Sequence, residues 1–225
     1  MLSLIARSIA GLVFLLGMLG LALFASAGTL NYWRAWLYLA VFGICVVLIT
    51  LYLALKDRRL LESRLSVGPA AERQRSQQVI QGLASIFFLL VYIVAGLDHR
   101  FDWSHVAPVL SVLSDLLVAL GLFVVFLVFR ENTYTSAIIE LADRQRVVSS
   151  GPYHFVRHPM YSGALLMLLF TPWALGSWWA IPLVLPLALV IVARLIDEEK
   201  FLAAGLPGYD DYRRRVRYRL IPWVW

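Results

Sequence analysis

The chain is poor in charge and nearly free of cysteine. Asp, Glu, Lys and Arg together make up 15% of its 225 residues, against 61% apolar residues and a mean hydropathy of +0.77. A soluble domain averages about 25% charged residues. A soluble fold of this length could not hide so much apolar surface, so lipid is the solvent for much of the chain. Cys45, the single cysteine, lies inside an apolar run. That excludes a disulfide framework and a cysteine-based metal site, and it leaves a small buried hydrophobe. No transporter-like internal repeat and no low-complexity segment is present. The apolar runs before residue 130 hold almost no ionisable residues. A transporter or proton pump usually needs such groups near mid-membrane, so their scarcity argues against that class.

What charge there is leans positive, with 20 Lys and Arg against 14 Asp and Glu. In a soluble protein this excess would raise nucleic acid as a partner. Here the basic residues cluster between apolar runs, which reads as positive-inside topology and contact with anionic headgroups. The partner is the bilayer, not nucleic acid. The loop at 56–78 carries Lys56, Arg58, Arg59, Arg64, Arg73 and Arg75 and is the clearest cytoplasmic segment; its Gly68-Pro69 pair signals a turn.

The runs predict an all-α, polytopic transmembrane protein of about six apolar helices. Four cover about residues 4–27, 36–55, 79–97 and 106–129. A C-terminal hairpin of two short helices follows within 160–196, interrupted near Pro172 and Gly176-Ser177, since one crossing takes about 20 residues. The hairpin either crosses fully or is partly re-entrant. Ala25-Ser26-Ala27 resembles a signal-peptidase site, but the first run is too long for a signal h-region of about 7–15 residues and reads as a retained helix. The chain divides into an N-terminal membrane part, residues 1–129, and a polar, motif-dense part, residues 130–225. Both termini and the candidate site fall on the cytoplasmic side of what reads as a bacterial inner membrane.

Three blocks in the second part carry chemistry. The densest runs from Gly151 to Gly163 and includes Pro152, Tyr153, His154, Arg157, His158, Pro159 and Tyr161. Pro159 restricts His158 and suits the first turn of a helix, whose free N–H groups favour a carboxylate or phosphate. The second is Arg194 with Asp197, Glu198, Glu199 and Lys200, where Arg194 and Glu198 share a helix face. The third is Gly208-Tyr209 with Tyr212 and a run of arginines. Each block alone also reads as interfacial anchors, an edge salt bridge or a headgroup-binding helix. Together they offer carboxylates for an ammonium or ribose, arginine for a carboxylate, and rings for a base or a sulfonium.

Gly151-Pro152-Tyr153, then Arg157-His158-Pro159-Met160-Tyr161 with Gly163, an apolar hairpin, Glu198-Glu199, and Gly208-Tyr209 with Tyr212 resemble the isoprenylcysteine carboxyl methyltransferase family and its bacterial and phospholipid-methylating relatives. The likeness covers about residues 130–225. It implies S-adenosylmethionine as methyl donor, held in a cytosolic C-terminal region and not in a Rossmann domain; no GxGxxG following a strand is found. By that likeness Tyr153, His158, Pro159, Tyr161, Gly163, Glu198 and Glu199 line the donor pocket. Arg157, His158, Arg194 and Glu198 form the catalytic group, and Asn132 and Tyr212 lie toward the substrate. Glu140 is either a further substrate-side group or a solvated loop charge. No metal is implied.

The expected reaction is methyl transfer to a lipophilic acceptor, with the carboxylate of an isoprenylcysteine-like or other small substrate first and a phospholipid amine or small thiol as alternatives. A carboxylate needs only alignment and exclusion of water, whereas an amine or thiol must first lose a proton to a base such as His158. A small-molecule transporter and a non-catalytic scaffold are the readings from other classes.

Overall fold

The computed structural model describes residues 2–65, 75–135 and 145–225, and among them every regular element is helical. In chain order these are α1 (Leu2–Ala27), α2 (Trp33–Lys56), α3 (Arg58–Leu65), α4 (Arg75–Phe101), α5 (Pro108–Glu131), α6 (Pro159–Ala174), α7 (Val184–Gly205) and α8 (Tyr209–Arg215). Short 3-10 turns stand at Gly151–His154 and Ile181–Leu183. Helices α1, α2, α4 and α5 are long and apolar enough to cross a membrane. At about 1.5 Å per residue each exceeds the roughly 30 Å hydrocarbon core.

The last apolar region divides into α6 and α7, the shorter pair that its interruption predicts. The break falls at Gly176, where φ is 78°, a left-handed value that glycine adopts without strain. Pro172 lies inside α6 instead of ending it. The polar stretch after α2 also differs from a plain loop. Its first part is the helix α3, because Leu60 and Leu61 find a buried seat beside Leu53, Val128 and Phe129. Helix α4 begins at Arg75, four residues ahead of the apolar run, and buries Gln77 completely. Gly68-Pro69, Arg73 and Glu140 lie outside the described residues.

Lipid tails are as apolar as leucine, so burial of apolar area between helices gives little drive and close backbone approach takes its place. Gly96 of α4 sits against the Leu23 carbonyl and Ser26 of α1. Gly121 of α5 faces Gly163 of α6, and a Cβ on either would stand 2.6 Å from the other's carbonyl oxygen. Around these contacts lies a core that includes Leu19, Leu23, Val91 and Val118. Inside it the Tyr38 and Tyr92 hydroxyls pair at 2.7 Å.

The two ends of the bundle differ. At one end Asp98, 1% exposed, accepts hydrogen bonds from the Ser104 and Ser177 hydroxyls. Arg34 there donates to the Val106 carbonyl at 2.7 Å, and the Tyr32 hydroxyl donates to the Leu175 carbonyl at 2.6 Å. These bonds tie the loops of that end together. At the other end the C-termini of α2, α5 and α7 meet the N-termini of α4 and α6, with Lys56, Arg58, Arg64, Arg75 and Arg130 among the residues there.

The Gly121–Gly163 approach predicts that Gly163→Val forces α5 and α6 apart. Overpacking of this kind costs about 1–3 kcal/mol, so the thermal midpoint in detergent should fall clearly, while Gly17→Ala, at a position with open space around it, should leave the midpoint near that of the wild type.

Candidate functional site

The basic end holds a cavity of about 430 Å³. Its size is that of a small-molecule site, about 300–1,000 Å³. Most of its wall comes from stretches distant in sequence, the end of α5, the loop into α6 with the start of that helix, the later turns of α7, and α8, and α3 and α4 add a residue each.

The loop contributes most. Pro152 opens the 3-10 turn, and Tyr153 leaves it toward the cavity. Asn132, which ends α5, donates from Nδ2 to the Tyr153 hydroxyl at 2.9 Å. Burial pushes the Tyr153 phenol up to about 12, so it stays protonated as a wall and a donor. Pro159 occupies the first position of α6 and leaves His158 non-helical. One turn into the helix, the Tyr161 hydroxyl donates to Glu198 Oε2 at 2.6 Å and accepts from Arg194 Nε at 3.1 Å. The four-residue spacing of Arg194 and Glu198 thus brings both onto one tyrosine. Arg194 also donates to Gln77 Oε1 at 3.2 Å, and Gln77 in turn donates to Asp197 at 2.9 Å. The first turn of α4 is fastened to the end of α7 in this way.

Glu199 behaves differently from its neighbour. It is 4% exposed and lies behind the cavity wall, not in it. Arg157 Nε stands 3.0 Å from Oε1, His158 Nε2 3.3 Å from the same oxygen, and Arg219 Nε 2.9 Å from Oε2. Burial alone would raise the carboxyl, but hydrogen bonds from His158 and Arg219 and the nearby positive charges outweigh it and hold it at about 2. An ionised carboxylate only accepts, so His158 Nε2 carries its proton toward Glu199. For Arg157, desolvation pulls the guanidinium below the usual arginine range against the opposing pull of Glu199. It remains charged, as arginine does in proteins.

The tail closes the arrangement. The Arg157 and His158 amides donate to the Tyr218 and Arg219 carbonyls at 2.9 and 3.0 Å, and the Ser162 hydroxyl donates to the Leu220 carbonyl at 2.6 Å. Carbonyls of the chain's own tail, not an outside anion, therefore take the donors just before α6. Helix α8 starts after Gly208, whose φ is 83°, and it turns Tyr209 and Tyr212 inward. The Tyr212 hydroxyl donates to the Tyr153 carbonyl at 2.9 Å.

Of the residues singled out from the sequence, Asn132, Tyr153, Arg157 and His158 line the cavity, as do Pro159, Tyr161, Arg194, Glu198 and Tyr212. Gly163 and Glu199 do not: the first is a helix contact, the second an anchor. Several lining residues escaped the sequence reading. Arg64 comes from α3, where it counted only as a loop charge, and Gln81 comes from α4. Tyr134 and Arg146 carry no motif. The signal that could have found Arg64 is its place one helical turn past Leu60 and Leu61.

The anchor role of Glu199 sets two expectations. Glu199→Ala leaves Arg157 and His158 buried without a counter-charge, a loss of about 3–5 kcal/mol, and the detergent melting midpoint should drop accordingly. Because the folded-state value of about 2 lies below the ordinary 4.5, Glu199 stabilises the fold fully above pH 4.5, and that contribution is lost as pH falls toward 2. A melting series from pH 7 to 3 should therefore show the wild type losing more stability than Glu199→Gln.

The family model described as phospholipid methyltransferase matches residues 109–206. The match begins inside α5, earlier than the motif likeness, and takes in the Gly121–Gly163 contact and Asn132. A relative, the cobalt-zinc-cadmium resistance protein CzcN of Cupriavidus metallidurans, is 31% identical over 133 residues, which are 58% of this chain. The chain spans about 57% of that curated relative's length. Over residues 109–206 the chain is thus similar to the phospholipid methyltransferase family, the likeness its motifs also carry.

Proposed function

We propose that the chain is an S-adenosylmethionine-dependent membrane methyltransferase that methylates a lipophilic acceptor, first of all a carboxylate. The observation that carries this reading is the convergence of Tyr153, His158, Tyr161 and Glu198 on one cavity at the basic end. By the positive-inside rule that end faces the cytoplasm, where a water-soluble donor is found.

The residues fit such a donor. Glu198 offers a carboxylate for an ammonium or ribose hydroxyl, and Arg194 a guanidinium for a carboxylate. Tyrosine faces suit a sulfonium or a base. Tyr209 lines the same cavity, and its hydroxyl is buried with no hydrogen-bond partner among the described residues. A buried hydroxyl in that state favours a ligand that bonds to it. When bound, this donor supplies a methyl group already joined to a sulfonium leaving group. The chain's part is then to align and to keep water out: Arg194 and Glu198 fix the Tyr161 ring, and Tyr212 and Asn132 fix Tyr153.

The lipophilic character of the acceptor rests on a second space. A groove of about 330 Å³ between α2 and α5, lined by Cys45, Ile49, Tyr52, Ala119 and Phe126, is almost wholly apolar. Leu122 lines both the groove and the cavity, so the two spaces are neighbours. A phospholipid amine is the second reading, favoured by the family's description. There the His158 ring, with Nε2 held by Glu199, takes the amine proton at Nδ1.

Calorimetry on the purified protein in detergent should detect S-adenosylmethionine binding, weakened at least about tenfold in Glu198→Ala, the loss of a single charge-assisted hydrogen bond. Absence of heat with folded wild-type protein would sink the reading. Ala119→Trp, which fills the groove, should raise KM for long-chain acceptors more than for short ones and leave donor affinity as it was.

A further inference from the structure

Residues three or four positions apart share one face of a helix. Tyr161, Ala164 and Met167 of α6 line the cavity at that spacing, as do Glu198, Arg194 and Ile191 of α7. Each stripe is polar at the rim of the cavity and apolar farther in. Met167 lies six positions past Tyr161, about 9 Å along the helix at about 1.5 Å per residue. The cavity therefore has an apolar arm that enters the bundle beyond the Tyr161, Arg194 and Glu198 group.

Helix α5 borders this arm on one side and the groove on the other. Val125 and Leu122 line the cavity, while Ala119, Leu122, Phe123 and Phe126 line the groove. Among the described residues Leu122 alone belongs to both linings. Its side chain is 8% exposed and packs in the same core cluster as Met167. Gly121 draws α5 and α6 together at this level, since a Cβ there would stand 2.8 Å from the Met167 amide nitrogen. Leu122 and Met167 thus mark the inner end of the arm. On its far side the groove opens outward past Leu48 and Phe123, both exposed on helices long and apolar enough to cross a membrane. Such faces meet lipid.

We propose that Leu122 is the threshold between cavity and groove and selects the acceptor by the length of its hydrocarbon chain. This deepens the methyltransferase reading and rests on it. A leucine changes rotamer without moving the backbone. Met167 in the same cluster is unbranched and adapts its shape to what it touches. A short chain ends inside the arm and never reaches the threshold. A longer chain turns Leu122 aside and continues into the groove, where each further methylene leaves water. Burial of one methylene is worth about a fourfold gain in affinity. Affinity then rises with chain length as far as the groove extends, and it depends on Leu122 only for chains that outgrow the arm.

The test uses the full chain in one detergent, so that partitioning into micelles is common to all samples. The probes are N-acetyl-S-alkylcysteines with butyl, octyl and dodecyl chains. Calorimetry without donor should show the wild-type Kd falling from butyl to dodecyl. Leu122→Trp, which blocks the threshold, should weaken dodecyl binding at least about tenfold and leave butyl binding within about twofold of the wild type. Leu122→Ala, which lowers the threshold, should tighten dodecyl binding relative to butyl. Melting midpoints identify a variant that has lost its fold, and if Leu122→Trp is such a variant, the Leu122→Ala ratio decides. A wild-type Kd that does not change with chain length overturns the proposal. So does a folded Leu122→Trp protein with the wild-type ratio of dodecyl to butyl binding, or one that binds both equally more weakly. A wild type that binds no S-adenosylmethionine defeats the methyltransferase reading instead, while the Kd series still decides the role of Leu122.

Discussion

One buried carboxylate holds the functional end of this protein together. Glu199 takes an arginine and a histidine from the loop before α6 and a second arginine from the tail, and it does so near the end of an apolar helix. A charge buried there is costly unless it is fully matched. Three cationic or proton-donating partners match it, two from the loop before α6 and one from the tail. The loop acquires its path from this contact, and with it the positions of His158 and Tyr161. Without the carboxylate, Arg157 and His158 would seek water, and the cavity would lose a wall.

The remainder of the bundle supports that end by different means. Backbone approach at Gly96 and at Gly121–Gly163 sets the helix spacing where hydrophobic drive is weak. The Asp98, Tyr32 and Arg34 bonds close the opposite end. Helices fixed at one end and in the middle can present their other termini with little freedom. Those termini are where polar side chains are tolerated, because the apolar run has stopped. The site thus sits at the boundary between lipid and water, within reach of solutes from one and hydrocarbon chains from the other.

Much of this was legible in the sequence. Apolar runs fixed the four long helices, and the proline and glycine spacing fixed the loop and the start of α6. Arg194 and Glu198 were readable as a pair from helical spacing, and Tyr161 joined them only through the motif resemblance. The limits have physical causes. Glu198 and Glu199 are adjacent, and adjacent helical residues point about 100° apart, so only one of the pair faces the cavity; sequence alone does not say which. Gly163 belongs to the motif stretch but its partner is Gly121, forty-two positions earlier, and such a pairing has no local signature. Arg64 looked like a topology charge because a single turn of apolar residues around it was too short to announce a helix. The tail read as a headgroup binder because its arginines are many, while it holds the loop through one of them, Arg219, and through backbone carbonyls.

Those carbonyls have a mechanical consequence. The segment from Tyr218 to Leu220 is stitched across the start of α6 by the Arg157 and His158 amides and the Ser162 hydroxyl, and it is folded back on itself through the Trp225 carbonyl. Tension on that strap is transmitted to the backbone carrying the imidazole. Displacement of that strap would therefore shift the loop that carries Arg157 and His158 from outside, with no contact to the cavity itself.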